Sequence, residues 1–321
     1  MKKCIIITTI NEPNKCIEAF AKSEYDLIVV GDLKTSESSY RQRNDLTFLG
    51  LEEQEEVSSK LSKLIPNNHY CRKNLGYLYA IQNGYKIIAE TDDDNIPYKS
   101  WGNYEKYSTS KVLVSPERPN TLKEFTSKKI WPRGYDLSLV NKRQRHVYEE
   151  NDAPVHVWQG LADIEPDVDA IYRLTRNNKV KFKTRKQIVL GEEVYAPFNT
   201  QNTIWISPET FYNLYVPCTV AFRYCDILRS YVAQKMIWMH GGRIGHNHAT
   251  VYQERNAHEF FDDFIDEIPV YLHTPKVIKI LKDFHPQKPE DLLGLYNNLY
   301  LHDIVQKKEL AILKEWLKIT L

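Results

Sequence analysis

The chain has 321 residues, 42% of them hydrophobic, and its 43 lysines and arginines nearly balance its 42 aspartates and glutamates. The length predicts one large α/β domain with an appendage, or two domains, and the balanced charge argues against a nucleic-acid partner. No apolar stretch of about 18 residues suggests a membrane span, and the apolar part of MKKCIIITTINEP is too short for a signal peptide. The scattered cysteines, without a CxxC pair, favour a reducing, cytoplasmic setting over disulfides or a zinc knuckle.

The first hundred residues alternate between strand and helix patterns. Continuous apolar runs predict buried strands at residues 4–9, 26–30 and 87–89. Helices are predicted at residues 51–64 and 74–84, and Asn11-Glu12-Pro13 is typical of a helix start. This close β-α-β-α order predicts a parallel, doubly wound sheet in this part of the chain.

Beyond residue 94 the pattern loosens. The segments VLVSP, KQIVL and TIWIS are strand-like and predict an antiparallel or mixed half, whereas residues 224–238 predict one long helix. After Tyr271 the chain is amphipathic and helical, and Leu310, Leu313 and Leu317 share one helical face. We expect that face to belong to the core or to a docking surface, with a membrane-lying helix as the alternative.

Residues 86–95, KIIAETDDDN, carry the most informative pattern. The apolar run 87–89 is followed by Asp92, Asp93 and Asp94. In a parallel α/β sheet, ligands bind outside the carboxyl ends of the strands. Crowded carboxylates repel one another unless a hard cation binds or some face water. A solvated acidic turn is the alternative, but the buried strand and the absence of a balancing basic run favour a Mg²⁺ or Mn²⁺ site.

Polar residues follow the neighbouring predicted strands. Thr8, Thr9 and Asn11 follow the first strand and Asp32 follows the second, so all are expected at the same edge as the acids. Asp32 could accept a hydrogen bond from a uracil N–H or a ribose hydroxyl, or could form a turn or a cap. No G-x-G-x-x-G or P-loop motif occurs, which argues against a dinucleotide site and a P-loop.

Arg72, Lys73 and Asn74 precede the helix that leads into the acidic strand. Two cations at a helix start predict a diphosphate cradle, because the helix dipole and the unpaired N–H groups favour anions. Opposite a metal that also binds phosphate oxygens, this cradle predicts a nucleotide-diphosphate site.

Three further groups have a functional and a plain structural interpretation. His246 and His248 follow residues 241–245, which are predicted to form a glycine-rich loop, and one of them could complete the metal shell or simply pack, because no independent zinc site is indicated. Asp226 opens the long helix as its cap, or serves as a general base toward an alcohol. The acids of DIEPDVDA, namely Asp163, Asp167 and Asp169, could bind sugar hydroxyls or lie in a solvated loop.

Six segments occur in an order that resembles a known family. They are ITTINEP, VVGD, CRKNLGYLYAI, ETDDDN, WPRGYDL and YQERNAH. Together they resemble the STELLO-type glycosyltransferase-like proteins and, more distantly, the plant reversibly glycosylated polypeptides, which are UDP-arabinose mutases. The resemblance covers about residues 1–270, and most of residues 140–220 matches poorly.

The resemblance implies a GT-A-like (Rossmann-like) mixed sheet flanked by helices, with a nucleotide-sugar-binding domain at residues 1–270 and a helical extension at 271–321. It also implies that a DxD-type motif, here Asp92 to Asp94, holds Mn²⁺ or Mg²⁺ and the donor diphosphate. Arg133 matches the R-G-Y segment in which the mutases are glycosylated. Arg223-Tyr224-Cys225-Asp226 resembles their R-Y-D-D segment, with Cys225 in place of the first aspartate, which leaves Asp226 as the one carboxylate of that pair and the candidate catalytic base.

The predicted site residues fall into four groups. They are Asp226 and Arg133 for catalysis; Thr8, Thr9, Asn11, Asp32, Arg72, Asn74, Asp92, Asp93 and Arg255 for the nucleotide sugar; Asp92, Asp94 and His248 for the metal; and Asp163, Asp169 and Arg223 for the acceptor or sugar.

The predicted activity is a metal-dependent glycosyltransferase. It would move a sugar from a UDP-type donor to a carbohydrate or glycolipid hydroxyl, in surface polysaccharide or glycoconjugate synthesis. One alternative is a nucleotide-sugar mutase or a protein that glycosylates its own Arg133, and another is a non-catalytic scaffold. A cytoplasmic location is expected, with contact of the C-terminal helices with the inner face of a membrane as a second hypothesis.

Overall fold

The computed structural model describes residues 1–104, 111–254 and 259–321. The strands in these parts of the chain are β1 (Lys3–Thr8), β2 (Asp26–Val30), β3 (Thr47–Leu49), β4 (Ile87–Asp92), β5 (Asn95–Pro97), β6 (Lys111–Ser115), β7 (Val147–Glu150), β8 (Val155–Asp163), β9 (Ile188–Leu190), β10 (Asn202–Trp205) and β11 (Arg243–Gln253). The helices are α1 (Lys15–Ala21), α2 (Glu37–Arg41), α3 (Leu51–Leu64), α4 (Lys73–Gln82), α5 (Ala170–Thr175), α6 (Cys225–Met239), α7 (Phe260–Asp283), α8 (Asp291–Leu301) and α9 (Lys307–Thr320).

One mixed sheet joins the described strands in the order β3-β2-β1-β4-β10-β8-β11-β9-β6-β7, with β5 paired to β11. The first four strands are parallel, whereas β10 is antiparallel to both of its neighbours. This arrangement confirms the predicted fold class at the level of a mixed α/β sheet flanked by helices. It also confirms the parallel first half and the mixed second half.

Strand β1 shows why a continuous apolar run becomes an interior strand. Ile5 and Ile7 pack on one face with α1, and Cys4 and Ile6 pack on the other face in the larger core. A strand buried on both faces needs apolar residues at every position. Each buried isoleucine contributes about 1.5–3 kcal/mol relative to an exposed one. The parallel order of β2, β1 and β4 then brings their carboxyl ends to one edge.

The start of α1 differs from the prediction. The helix begins at Lys15, and Asn14 caps it by accepting hydrogen bonds from the backbone N–H groups of Cys16 and Ile17. The predicted start at 11–13 is therefore wrong by a few residues. The same Asn14 donates through Nδ2 to the backbone oxygen of Asp93 at 2.7 Å, so the cap also ties α1 to the acidic segment.

Strand β11 was expected to begin as a glycine-rich loop, and that expectation is wrong. It is an interior strand, parallel to β8 on one side and antiparallel to β9 on the other. A Cβ atom at Gly242 or Gly245 would collide with the ring of His156 or Trp158. These glycines therefore serve close packing of aromatic rings within the sheet, a known role of strand glycines.

The C-terminal helices pack on the core. Leu313 and Trp316 of α9 are fully buried and Leu317 is nearly so, so the predicted apolar face belongs to the core. Helix α7 runs through residue 270, where the chain was divided, and the two-part division stays a prediction. Within the described segments, no helix is long and apolar enough to cross a membrane.

Candidate active site

A cavity of about 530 Å³ lies at the carboxyl ends of β1, β2 and β4. Its volume is typical of small-molecule sites. Most of the predicted site residues meet here, namely Thr8, Thr9, Asn11, Asp32, Arg72, Asp92, Asp93, Asp94, Arg133, Arg223 and Asp226. The prediction that the strand ends converge is therefore confirmed by the geometry.

Asp92, Asp93 and Asp94, which we call the acid wall, are held by uncharged hydrogen-bond donors. Asp93 Oδ2 accepts from the Thr9 hydroxyl at 2.5 Å and from Asn11 Nδ2 at 2.7 Å. Gln253 Nε2 lies 3.0 and 2.9 Å from the two carboxylate oxygens of Asp94. These donors fix the carboxylates in place without cancelling their charge.

Asp92 is the innermost member of the acid wall. Its Oδ1 accepts a hydrogen bond from the Tyr70 hydroxyl at 2.6 Å. Burial raises the pKa of Asp92 to about 6; Lys73 and Tyr70 oppose this rise, and the carboxylates of Asp94 and Asp226 add to it. The position therefore favours a partner that brings positive charge.

Arg133, Asp167 and Asp226 also line the cavity, and they form a group that we call the arginine clamp. The guanidinium donates to both oxygens of Asp226 at 2.8 Å and to both oxygens of Asp167 at 2.8 and 2.7 Å. Asn199 adds a hydrogen bond to Asp167 at 2.8 Å. Paired, charge-assisted bonds of this kind are among the strongest in proteins.

A third part of the cavity carries aromatic rings and a cation. The Phe222 ring is 48% exposed and contacts His69 and Tyr70 edge-on. Asp32 and Lys34 also line the cavity, and Asp32 accepts a hydrogen bond from the backbone N–H of His69 at 3.3 Å. The sequence argument missed Tyr70, Phe222, Lys34 and Gln253 as site residues. Only the aromatic character of the first two offered any indication.

The predicted diphosphate cradle is not formed by the residues proposed for it. The buried Arg72 guanidinium donates to the Gln54 side chain and to the backbone oxygens of Ser62 and Ile65, so it joins α4 to α3. Asn74 is fully buried, and its side chain bonds the backbone of Val216 at 2.8 and 2.7 Å. The prediction for Asn74 is wrong, because its side chain faces the protein interior, whereas Arg72 borders the cavity but directs its guanidinium toward α3.

His248 does not reach the acid wall. It lies on β11 five residues before Gln253, which does contact Asp94. Strand β11 has two irregularities between His246 and Val251, so at about 3.3 Å per regular residue the separation is still on the order of 10 Å along the strand, far longer than a metal–ligand bond. His246 is buried, and burial lowers its pKa to about 3, which keeps the ring neutral. The predicted histidine ligand is therefore wrong for this arrangement, and Gln253 takes the place near Asp94.

Two predicted sugar-binding acids lie away from the cavity. Asp169 caps α5 through the Tyr172 N–H at 2.8 Å and accepts from the Trp131 ring N–H at 2.6 Å. Asp163 accepts from the Phe182 backbone at 2.8 Å and from the Tyr98 hydroxyl at 3.0 Å. The third acid of this segment, Asp167, does line the cavity, so one of the three acids lies where a ligand could reach it.

Two arginines complete the inventory of predicted residues. Arg223 lines the cavity, and its guanidinium pairs with Glu267 at 2.7 Å. Arg255 lies outside the described residues.

A divalent cation fits the acid wall in one particular way. Among residues 1–104, 111–254 and 259–321, no three His, Cys, Asp or Glu side chains are grouped to hold a metal by themselves. Mg²⁺ is usually bound by one or two carboxylates together with substrate phosphates and water, rather than by a complete protein cage. Asp92 and Asp94 supply two carboxylates in the cavity, which is the number that such a shared site requires.

The fold and the site thus define an α/β protein with an acidic, nucleotide-sized cavity at the sheet edge. A family model for STELLO glycosyltransferases matches residues 223–318. The probable glycosyltransferases STELLO2 and STELLO1 of Arabidopsis thaliana are each 24% identical over 312 residues, which cover 89% of this chain. The predicted similarity to the STELLO-type family is confirmed, although the chain spans only 40% of the length of these relatives.

The solved structures are less similar to this chain. Glucosyl-3-phosphoglycerate synthase from Mycobacterium tuberculosis is 11% identical, with a TM-score of 0.41 over 88% of this chain and 78% of its own. S. aureus TarS in complex with UDP-GlcNAc is 12% identical, with a TM-score of 0.39 over 100% of this chain and 82% of its own. Likenesses this distant assign no ligand and no reaction to this chain.

Proposed function

We propose that this chain is a metal-dependent glycosyltransferase that moves a sugar from a UDP-type donor to a hydroxyl of a carbohydrate or glycolipid acceptor. The observation that carries the proposal is the acid wall: three carboxylates at the end of β4, held by uncharged donors and lining a cavity of about 530 Å³. The sequence similarity to proteins named as glycosyltransferases supports it.

In this proposal the donor lies along the strand ends. Asp32, His69 and Phe222 suit a nucleobase and its ribose, since they combine hydrogen-bonding groups with an exposed aromatic face. The diphosphate would then extend toward the acid wall. Asp92 and Asp94 would hold Mn²⁺ or Mg²⁺, which when bound neutralises the charge of the diphosphate leaving group.

The arginine clamp is the proposed acceptor side. Asp226 remains our candidate for the general base because it is a carboxylate in the cavity wall at the start of α6. Both of its oxygens accept hydrogen bonds from Arg133, and each carboxylate oxygen has two acceptor sites, so Oδ2 retains a lone pair that could take the proton of an acceptor hydroxyl. If Asp226 is not the base, the leaving phosphate is the remaining acceptor for the proton, as in a retaining reaction.

The contacts of Arg133 argue against self-glycosylation at this residue. Its Nε and both terminal nitrogens donate to Asp167, Asp226 and the backbone oxygen of Arg223. A guanidinium that is buried and held in this way is a poor nucleophile toward a sugar. The clamp therefore favours transfer to an external acceptor over the mutase alternative.

The proposal is tested by incubating the protein with a panel of UDP-sugars and Mn²⁺, with and without carbohydrate or glycolipid acceptors. Acceptor-dependent release of UDP, with the sugar found on the acceptor by mass spectrometry, is the expected result. Ring-form conversion without acceptor, or sugar attached to the protein itself, would support the mutase alternative. Tight donor binding with no release of UDP would indicate a scaffold.

A further inference from the structure

We propose that Tyr70, held by Lys73, is a positioning residue that orients Asp92 for metal-dependent binding of the donor. This inference rests on the proposed function, since it concerns a cation shared between the protein and a diphosphate. It adds a residue whose side chain acts through another residue, at a position that the sequence motifs do not indicate.

The Tyr70 hydroxyl is the centre of a small hydrogen-bonded group. Its oxygen lies 2.6 Å from Asp92 Oδ1, 2.6 Å from Thr200 Oγ1 and 2.7 Å from Lys73 Nζ. The lysine ammonium can only donate, so the tyrosine oxygen accepts from it. Tyrosine has a single hydroxyl proton, and the charged carboxylate is a stronger acceptor than the threonine hydroxyl. The proton of Tyr70 therefore points to Asp92.

Lys73 reinforces this direction. It is fully buried, and its ammonium also donates to the backbone oxygen of Thr91 at 2.7 Å, next to Asp92 on β4. A cation that donates to the tyrosine oxygen polarises the O–H group and strengthens the bond that Tyr70 donates. Because the lysine is bonded to the strand that carries Asp92, the Tyr70 hydroxyl and the Asp92 carboxylate are held in a fixed relative position.

Glu90 and Asp92, both on β4, differ in how their carboxylates are held, and the comparison shows the effect of the Tyr70 hydroxyl. Glu90, two residues before Asp92, pairs directly with the Arg229 guanidinium at 2.9 and 2.7 Å and is fully buried. A carboxylate paired in this way is a structural group. Among the described residues no ion pair joins Lys73 to Asp92, and the neutral Tyr70 stands between them. Asp92 is thus fixed in position without direct pairing to a protein cation.

The arrangement also leaves one carboxylate oxygen for a ligand. Tyr70 bonds Oδ1, whereas Oδ2 of Asp92 accepts no hydrogen bond from the residues that the structure describes. Asp92 lines the cavity, so this second oxygen is the one that a shared cation would use. Without Tyr70 the carboxylate would be free to rotate about its side-chain bonds, and cation binding would have to fix it.

The test compares Tyr70→Phe with the wild-type protein by calorimetric titration of UDP, in Mn²⁺ and in excess chelator. We expect the gain in UDP affinity that Mn²⁺ provides to fall about tenfold in the variant, which matches the loss of one hydrogen bond to a charged group. Affinity in chelator should not change, because phenylalanine keeps the ring and its contact with Phe222.

Tyr85→Phe is a matched control. The Tyr85 hydroxyl also donates to an aspartate, Asp26 Oδ2 at 2.8 Å, but Asp26 lies at the amino end of β2, away from the cavity. Tyr85→Phe should lose about as much stability as Tyr70→Phe, but Mn²⁺ should increase its UDP affinity as much as in the wild type. If Tyr70→Phe does not fold, Thr200→Val serves instead. With the tyrosine proton directed to Asp92, the Thr200 hydroxyl is the donor in its contact with the tyrosine oxygen, so its removal weakens the bond that Tyr70 donates, and a smaller loss of the Mn²⁺-dependent affinity, about threefold, is expected.

The outcomes are distinct. The proposal is overturned if Mn²⁺ increases the UDP affinity of Tyr70→Phe as much as that of the wild type. The same holds for Thr200→Val where it serves as the substitute. An equal loss of affinity in Mn²⁺ and in chelator also overturns it, because Tyr70 would then contact the donor itself. A wild-type protein that binds UDP equally in both conditions removes the metal from the proposed function, and the proposal with it. If Mn²⁺ increases UDP affinity equally in the wild type and the variant, only the role of Tyr70 is rejected and the proposed function is unaffected.

Discussion

The acid wall and the arginine clamp face the same cavity and are both built on aspartates, yet their partners differ. The acid wall is held by neutral groups such as Thr9, Asn11 and Gln253. The clamp holds its two aspartates against one guanidinium. Opposite charges in contact attract strongly away from bulk water, so the guanidinium offsets one of the two negative charges of the clamp. The hydrogen bonds that Thr9, Asn11 and Gln253 donate to the acid wall add no positive charge to it.

This difference suggests that the acid wall and the arginine clamp have different functions. A carboxylate that already pairs with an arginine gains little from a cation, whereas the carboxylates of the acid wall repel one another until a cation arrives. We therefore assign the metal and the diphosphate to the acid wall, and the acceptor and its proton to the clamp. Variants of the two groups should accordingly differ in which step they damage.

The largest effect is expected in the clamp. Asp226→Asn should lower the rate of sugar transfer by about 10²–10⁴-fold with donor affinity nearly unchanged, since the variant lacks the proposed base. Asp167→Asn is the matched control, because it also removes one carboxylate partner of Arg133. Single-turnover kinetics together with UDP titration measures both quantities.

Equal losses of rate in the two clamp variants would mean that the clamp acts as a structural unit. Near wild-type turnover in folded Asp226→Asn would remove this residue from the chemistry. A retaining reaction, in which the leaving phosphate takes the proton, would then be the preferred account.

In the acid wall, Asp94→Asn should weaken UDP binding about ten- to a hundredfold in Mn²⁺, because a charged ligand is replaced by a neutral one. In excess chelator the variant and the wild type should bind alike. Calorimetry in both conditions makes the comparison. A loss of affinity that is the same in chelator would show that Asp94 contacts the donor without a metal.

A variant of Arg72 tests whether this residue stabilises the fold or binds the diphosphate. Because its guanidinium is buried against Gln54 and two backbone oxygens, Arg72→Ala should lower the free energy of unfolding by about 1.5–3 kcal/mol. UDP and uridine affinities should change little in the folded fraction. Chemical denaturation and UDP titration measure the two effects. A selective loss of UDP affinity over uridine, with stability unchanged, would restore Arg72 to the diphosphate site.

The smallest effect concerns Lys34, a cation in the cavity lining. Lys34→Ala should weaken UDP binding about two- to fivefold and leave uridine unaffected, as expected for one solvent-accessible charge near a diphosphate. The effect should shrink as salt concentration rises. Lys308→Ala, at an exposed site on α9, is the control. Equal changes in the two variants would leave Lys34 without a specific role.

The same two groups show what the sequence could predict. The acid wall is a local pattern, an apolar run followed by three aspartates, and the parallel sheet brings it to the expected edge. The clamp joins three segments far apart in the chain, and no local pattern shows that Asp167 rather than Asp163 or Asp169 faces the cavity. Pairing between distant residues depends on tertiary packing, which spacing alone does not reveal.

The errors have the same origin. Arg72, Asn74 and His248 are residue types common in binding sites, and each lies near the right element. The direction of a side chain depends on its turn and its neighbours: Arg72 turns toward α3, and His248 lies too far back on β11. Strands β1, β2 and β4 were found because buried parallel strands are continuous apolar runs, whereas the three-residue strand β3 was not predicted. By contrast, β8 and β11 mix polar, glycine and aromatic residues and were missed.

Thermal unfolding of the wild-type protein with UDP, in Mn²⁺ and in excess chelator, tests the central claim most directly. A ligand that binds the native state raises the apparent midpoint of unfolding. The account predicts a clear rise with UDP in Mn²⁺, little rise with UDP in chelator, and little rise with Mn²⁺ alone. An equal rise with UDP in both conditions, or no rise with UDP in either, would contradict it.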